Sequence, residues 1–234
     1  MTGPDGHLIG ILGGMGPAAT ADFYARLVRH TPAARDQDHL RVVIWADPTV
    51  PDRVAAVVNG TSEPYPALLA GARRLRDLGA TIGAMPCNTA HVFLPRLIAD
   101  TGLPFVDMID ATVRALSGSG AAPRAVGLVG TRGVVHSRLY QDRLAAAGFR
   151  PVEPDPVAQQ CVDEAVREVK RGALDAARKH AEEAVRRVAD AGAEAVVLAC
   201  TELPLALPAG ERDGLPPLAD PADALAVSVV SRCR

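Results

Sequence analysis

The chain has 234 residues, 48% of them hydrophobic and 22% charged, with a net charge of −2 at pH 7. That is the mix of a globular protein large enough for one sizeable core or two small ones, and it lacks the basic footprint of a nucleic-acid binder. No apolar run reaches the ~18–20 residues that cross a bilayer, and Met1 to His7 lack the basic-then-apolar layout of a signal peptide. A cytoplasmic protein without nucleic-acid or membrane partners is expected. Aromatic residues make up only 3%, so the core must be built from Ala, Val, Leu and Ile.

Leu8 to Leu12 reads as a strand that runs into the glycine turn Gly13-Gly14-Met15-Gly16. Pro17 then opens a helix to about Arg29. Arg41 to Trp45 is a second strand, broken at Asp47-Pro48, with Pro51-Asp52-Arg53 in the loop beyond it. Leu68, Leu69, Ala72, Leu75 and Leu78 share one face of a helix from about Tyr65 to Leu78, stopped by Gly79. Thr81 to Met85 is a third strand with Cys87 at its end, and a helix of about Thr89 to Thr101 follows, with Pro95 as a break or later start. Leu103 to Val106 is a fourth strand. Ala125 to Val129 is the next, ending in Gly130-Thr131-Arg132-Gly133. Val134 to Ala147 is helical, and Pro151, Pro154 and Pro156 make an irregular connection. A long helical region, Val157 to Ala191, has a break at Gly172. Ala195 to Ala199 is a strand with Cys200 at its end.

The second half repeats the first. Gly10, Gly13 and Gly16 recur 117 residues later as Gly127, Gly130 and Gly133. Arg73-Arg74, Asp77, Gly79-Ala80 and Cys87 recur 113 residues later as Arg186-Arg187, Asp190, Gly192-Ala193 and Cys200. Pro104, Asp107 and Asp110 recur at that same offset as Pro217, Asp220 and Asp223. Two similar βαβ-rich units are expected. Parallel sheets gather ligand-binding groups beyond the carboxyl ends of their strands, where Gly13, Cys87, Gly130 and Cys200 all fall. Two such units facing each other would put Cys87 and Cys200 on opposite walls of one cleft.

The four cysteines (87, 161, 200 and 233) have no CxxC spacing, and the six histidines contain no HxxxH pair, so no metal site is expected. Lys170 and Lys179 are the only lysines, which restricts Schiff-base chemistry to two candidates. A lone cysteine at a strand end is most simply a small buried hydrophobe, and Cys161 and Cys233 keep that reading. Packing alone does not explain a matched pair followed by Asn88-Thr89 and Thr201-Glu202. A thiolate and a thiol on opposite faces of a carbon acid can invert it, one removing the proton while the other delivers one. The glycine turns, with Asn88, Thr89 and Thr201, are candidate donors for the developing anion. The spacing of Gly10, Gly13, Gly14 and Gly16 is not GxGxxG and no Walker lysine follows, so a turn binding a carboxylate through its amides is preferred to a nucleotide loop. Arg53 is a candidate carboxylate clamp. His91 either tunes Cys87 or caps and packs, and Glu202 either holds the surroundings of Cys200 or starts a helix.

These residues resemble the aspartate/glutamate racemase family, most nearly its aspartate racemase branch, over almost the whole chain. The likeness rests on Gly10-Ile11-Leu12-Gly13-Gly14-Met15-Gly16-Pro17, on Thr31 to His39, on Pro51-Asp52-Arg53, on Pro86-Cys87-Asn88-Thr89-Ala90-His91 and on Cys200-Thr201-Glu202-Leu203. It implies two α/β domains with mainly parallel sheets related by pseudo-twofold symmetry, an active site in the cleft between them, and a homodimer. It also implies that the C-terminal segment returns to the first domain, giving residues 1–112 plus 218–234 and residues 113–217. Carried over by motif, Cys87 and Cys200 are the catalytic pair. Met15, Arg53, Asn88, Thr89, Thr131, Ser137, Lys170, Thr201 and Glu202 make up the substrate-binding set. Val134 departs from the family, standing where relatives often carry a hydroxyl. The expected activity is inversion of an acidic amino acid without cofactor, aspartate first and glutamate second. The alternatives are an isomerase of another small carboxylate, of hydantoin or maleate type, and a non-catalytic carboxylate- or nucleotide-binding module.

Overall fold

The computed structural model describes residues 6–118, 123–210 and 212–234. Met1 to Asp5, part of the stretch compared with a signal peptide, lie outside the described residues. The chain divides into two compact units, Met1–Ala111 with Ala222–Arg234, and Thr112–Pro221.

In the first unit β1 (Leu8–Gly13) leads to α1 (Pro17–His30) and, past a 3-10 turn at Asp36–Asp38, to β2 (Arg41–Ala46). Then come α2 (Arg53–Val58), α3 (Tyr65–Asp77) and β3 (Ile82–Ala84). A 3-10 helix at Thr89–Phe93 precedes α4 (Leu94–Thr101), β4 (Phe105–Val106) and α5 (Met108–Ser117), which runs on into the second unit. The second unit continues with β5 (Ala125–Gly130), α6 (Arg132–Ser137), α7 (Leu139–Ala146), β6 (Arg150–Val152) and α8 (Pro156–Lys170). It closes with α9 (Leu174–Asp190), β7 (Ala195–Ala199), α10 (Leu203–Ala206) and β8 (Leu218–Ala219), and α11 (Pro221–Arg232) returns to the first unit.

Each unit holds a parallel four-stranded sheet, ordered β2-β1-β3-β4 in the first and β6-β5-β7-β8 in the second. The inner strands are buried along almost their whole length, as strands covered on both faces must be. Edge strand β2 instead mixes exposed and half-buried positions. The repeat is visible in the strand bounds. Leu8–Gly13 shifted by 117 gives Ala125–Gly130, and Phe105–Val106 shifted by 113 gives Leu218–Ala219. It also has a packing cause. A Cβ on Gly10 would lie 3.2 Å from Leu75 Cβ and 2.9 Å from Ala80 Cβ. One on Gly127 would lie 2.3 Å from Val188 Cγ1 and 2.9 Å from Ala193 Cβ. Leu75 and Val188, and Ala80 and Ala193, are 113 apart, so the same helix-on-strand contact requires a missing side chain twice.

Several elements differ from the sequence reading. Pro151 does not break the chain there: it lies in edge strand β6, where Val126 is its register partner and the absent N–H is tolerated. The helix expected from Val134 starts at Arg132 and is split by Arg138, which adopts φ 57°. The helix expected from Thr89 starts as a 3-10 segment, and Pro95 sits in the first turn of α4, where its ring is accommodated. Arg53 is not in a loop but opens α2, capped by Asp52, whose Oδ1 accepts the N–H groups of Val54 and Ala55. Six residues are too few for a helical period to be read. Residues 218–221 group with the second unit because β8 pairs with β7.

Candidate active site

In both sheets the strand order reverses between the first and third strands of the unit, β1/β3 and β5/β7. That reversal opens a crevice at the carboxyl ends of those strands. Both expected cysteines fall there, one in each unit.

In the first unit Ile11 is the register partner of Ala84, and Cys87 follows three residues after the strand. Cys87 is 6% exposed and shares an apolar cluster with Met15, Val50, Ala56 and Val57. His91, 2% exposed, fixes the backbone around it. Its Nε2 accepts the Met108 N–H at 3.1 Å, so Nδ1 carries the proton and donates to the Cys87 carbonyl at 2.9 Å. Between the two roles open for His91, these bonds assign it capping and packing. They tie the loop that carries the thiol to the start of α5.

The glycine turn after β1 is held from inside. Thr20 Oγ1 accepts the Gly14 N–H at 2.9 Å and donates to the Gly16 carbonyl at 2.9 Å. Gly14 has φ 91°, and a Cβ there would come within 2.4 Å of the Asp47 backbone, so only glycine fits. Its amide is engaged by Thr20, which removes one of the donors expected to meet a carboxylate. Thr20 lies on the buried face of α1 with Phe23 and Leu27, and a hydroxyl on that apolar face was the available signal for it.

Helix α2, which Arg53 opens, packs against the 3-10 helix Thr89–Phe93 that follows Cys87. Arg53 Nη1 donates to the carbonyls of Val50 and Pro51, each at 3.1 Å. Its Nε is buried without a hydrogen-bond partner among the described residues. A buried guanidinium N–H without an acceptor is costly in a folded protein, and a carboxylate is the acceptor that fits its planar fork. Asn88 and Thr89 are buried next to Cys87.

In the second unit Gly130 pairs with Ala199, so Thr131 and Cys200 leave adjacent strands side by side. Thr131 caps α6, accepting the Val134 N–H. Cys200 is 5% exposed among Leu198, Leu203, Ala206 and Leu207, and its Sγ donates to Glu202 Oε2 at 3.0 Å. Thr201 Oγ1 also donates to that oxygen, at 3.4 Å. The segments after the two cysteines are a five-residue 3-10 helix that runs directly into α4, and the four-residue α10. Ser137 Oγ is bonded to the Val134 carbonyl within α6.

Helix α8 runs beside the end of β5. Gln159, 7% exposed, donates to the Gly130 carbonyl at 3.1 Å, and Arg132 pairs with Asp163 at 2.7 Å. Gln159 was missed in the sequence although it is a polar residue among Ala158, Val162 and Ala165 on the buried face of its helix. Lys170 is exposed at the end of α8, seven residues and about 10 Å along the axis beyond Asp163. Helix α8 also packs against α10, the short helix that follows Cys200, Thr201 and Glu202. Cys161 and Cys233 are half-buried thiols packed against the apolar clusters, and burial pushes both above the usual thiol range.

Comparisons with known proteins bear on the family and the fold. Residues 12–229 match the family model described as Asp/Glu/hydantoin racemase. The fold matches the aspartate racemase of Picrophilus torridus with a TM-score of 0.86, at 32% identity over 97% of this chain and 94% of that one. A glutamate racemase from Francisella tularensis, solved with D-glutamate, shares the fold at 17% identity and a TM-score of 0.73, over 97% of this chain and 81% of that one. The broad-specificity amino-acid racemase of Bacillus subtilis is 29% identical over 168 residues, 70% of this chain and 71% of that protein.

Proposed function

This chain belongs to the Asp/Glu/hydantoin racemase family and is an amino-acid racemase, and from that premise we propose that it inverts an acidic amino acid, aspartate first, with two thiols as acid and base. The observation that carries the proposal is one cysteine in each unit at the equivalent strand end, Cys87 after β3 and Cys200 after β7. Each stands at the point where its sheet reverses order. In the proposed reaction a thiolate takes the α-proton from one face and a thiol gives a proton to the other. The intermediate charge spreads into the substrate carboxyl group. Arg53, fixed by two carbonyls and with Nε unsatisfied, receives a substrate carboxylate. Asn88, Thr89, Thr131 and Thr201 supply polar contacts.

The reading needs neither pyridoxal phosphate nor metal. Lys170 and Lys179 are both exposed on helices. Among the described residues no helix is long and apolar enough to cross a membrane. The working form is proposed to be a homodimer. The relative named a broad-specificity racemase favours a second reading, a pocket that accepts several amino acids.

Incubation of the enzyme with L- or D-aspartate in D2O is expected to place deuterium at Cα of the inverted product. Cys87→Ser and Cys200→Ser are each expected to lower racemisation by at least about a thousandfold. Normal turnover in both single variants would overturn the two-thiol mechanism. A parallel panel of glutamate, neutral amino acids, hydantoins and maleate distinguishes an aspartate enzyme from a broader one.

A further inference from the structure

The two half-sites are built alike but differ in charge at the second position after each cysteine. At the 113-residue offset Asn88 corresponds to Thr201 and Thr89 to Glu202. A carboxylate therefore stands in the second unit where the first unit has a hydroxyl. It is not a surface group: Glu202 is 8% exposed and Cys200 5%. Its Oε2 accepts the Cys200 S–H at 3.0 Å and the Thr201 O–H at 3.4 Å. The surrounding wall is apolar, with Leu198, Leu203 and Leu207 in the same cluster.

We propose that Glu202 is a positioning residue that keeps Cys200 protonated, so that in the resting enzyme Cys200 is the acid and Cys87 the base. The assignment rests on the two-thiol racemase reading, but its physical basis is local. A thiol donating to a carboxylate is stabilised in its protonated form. Removing that proton would place two negative charges 3.0 Å apart among apolar side chains, which is strongly disfavoured. Thr89 puts no charge at the matching position beside Cys87.

In a turnover from this state, the substrate Cα–H bond breaks as its proton bonds to the Cys87 sulfur, and the electron pair stays on the substrate. The Cys200 S–H bond then breaks, its proton bonds to Cα from the other face, and the electron pair stays on the Cys200 sulfur. The enzyme is left with a Cys87 thiol and a Cys200 thiolate beside Glu202. Repulsion from that carboxylate drives Cys200 to take a proton from water while Cys87 gives one up, restoring the resting form without net gain or loss. The reverse reaction uses the same two proton positions in the opposite order.

The test is a pH titration of the substrate-free protein labelled with 13Cβ-cysteine. It gives four signals, assigned by Cys→Ser variants, and reports thiolate directly whether or not the thiol is accessible. In Glu202→Gln the thiolate fraction of Cys200 at pH 8 is expected to rise about tenfold or more over wild type, because a neutral amide no longer repels the charge on sulfur. The Cys87 curve stays in place. Glu202→Asp, which keeps the charge on a shorter arm, is expected to lie between the two. Glu202→Thr, which installs the residue found at position 89, provides a second charge-free variant if the glutamine one does not fold. A Cys200 titration that is unchanged in a folded charge-free variant would overturn the assignment. So would a lower thiolate fraction, which would make Glu202 an activating base. Because no substrate is present, loss of the racemase reading in the D2O experiment and loss of this assignment are separate outcomes.

Discussion

Replacing His91 by leucine tests whether the thiol of the first unit is set by the backbone around it. The substitution removes the bond from Nδ1–H to the Cys87 carbonyl and the one from the Met108 N–H to Nε2, at 2.9 and 3.1 Å in a site only 2% exposed. A buried neutral hydrogen bond contributes about 0.5–1.5 kcal/mol net, so the pair amounts to about 1–3 kcal/mol. Leucine fills a similar volume, which keeps a cavity penalty small. The loss is expected as a lower urea midpoint with an unchanged slope, followed by circular dichroism. Activity should fall further than stability implies, because a thiol displaced by about 1 Å loses about a hundredfold in rate. His91→Gln, which retains a donor and an acceptor, should lose less on both measures. A His91→Leu protein with stability within about 0.5 kcal/mol of wild type and unchanged kcat/KM would refute the role given to His91.

Arg53→Lys is expected to raise KM for an acidic substrate by about ten- to a hundredfold, because an ammonium cannot reproduce the planar fork and charge-assisted bonds contribute about 1.5–3 kcal/mol. Steady-state kinetics measures this, and an unchanged KM would remove Arg53 from the substrate site. Acid stability should depend on Asp155, whose carboxyl is held down to about 2, first by its hydrogen bond to Arg187 and then by the Ala158 N–H at the start of α8. Because its folded value lies below the ordinary 3.8, its contribution is present above about pH 4 and lost as the pH falls towards 2. Asp155→Asn should flatten the fall of melting temperature in that window. An identical acid limb in the variant would exclude this link.

Most of the strands and the helices α1, α3, α8 and α9 were legible because their signals are local, whereas α5, α11 and β6 were not read. Apolar runs bounded by glycine marked β1, β3, β5 and β7, and Gly172 separated α8 from α9. The internal repeat was also readable, since each repeated glycine or small residue answers a contact that occurs twice, as Gly10 with Leu75 and Gly127 with Val188 do. Other short elements were not legible. Helix α2 has six residues, α10 four and β8 two, too few for any periodicity, so capping and pairing decide them.

By itself the sequence determined that this protein has two related parallel α/β units and that one cysteine stands at the same strand end in each. Those properties follow from residue order, spacing and repetition. Tertiary structure alone decided what each polar group is bonded to. Thr20 turns out to occupy the Gly14 amide, His91 to brace the Cys87 loop, and Glu202 to receive the Cys200 thiol. A hydrogen bond between side chain and backbone depends on rotamers and on elements distant in sequence, such as His91 and Met108, and no local pattern records it. The two cysteines hold matching places in the repeat, and only the fold shows that Glu202 accepts a hydrogen bond from one of them at 3.0 Å.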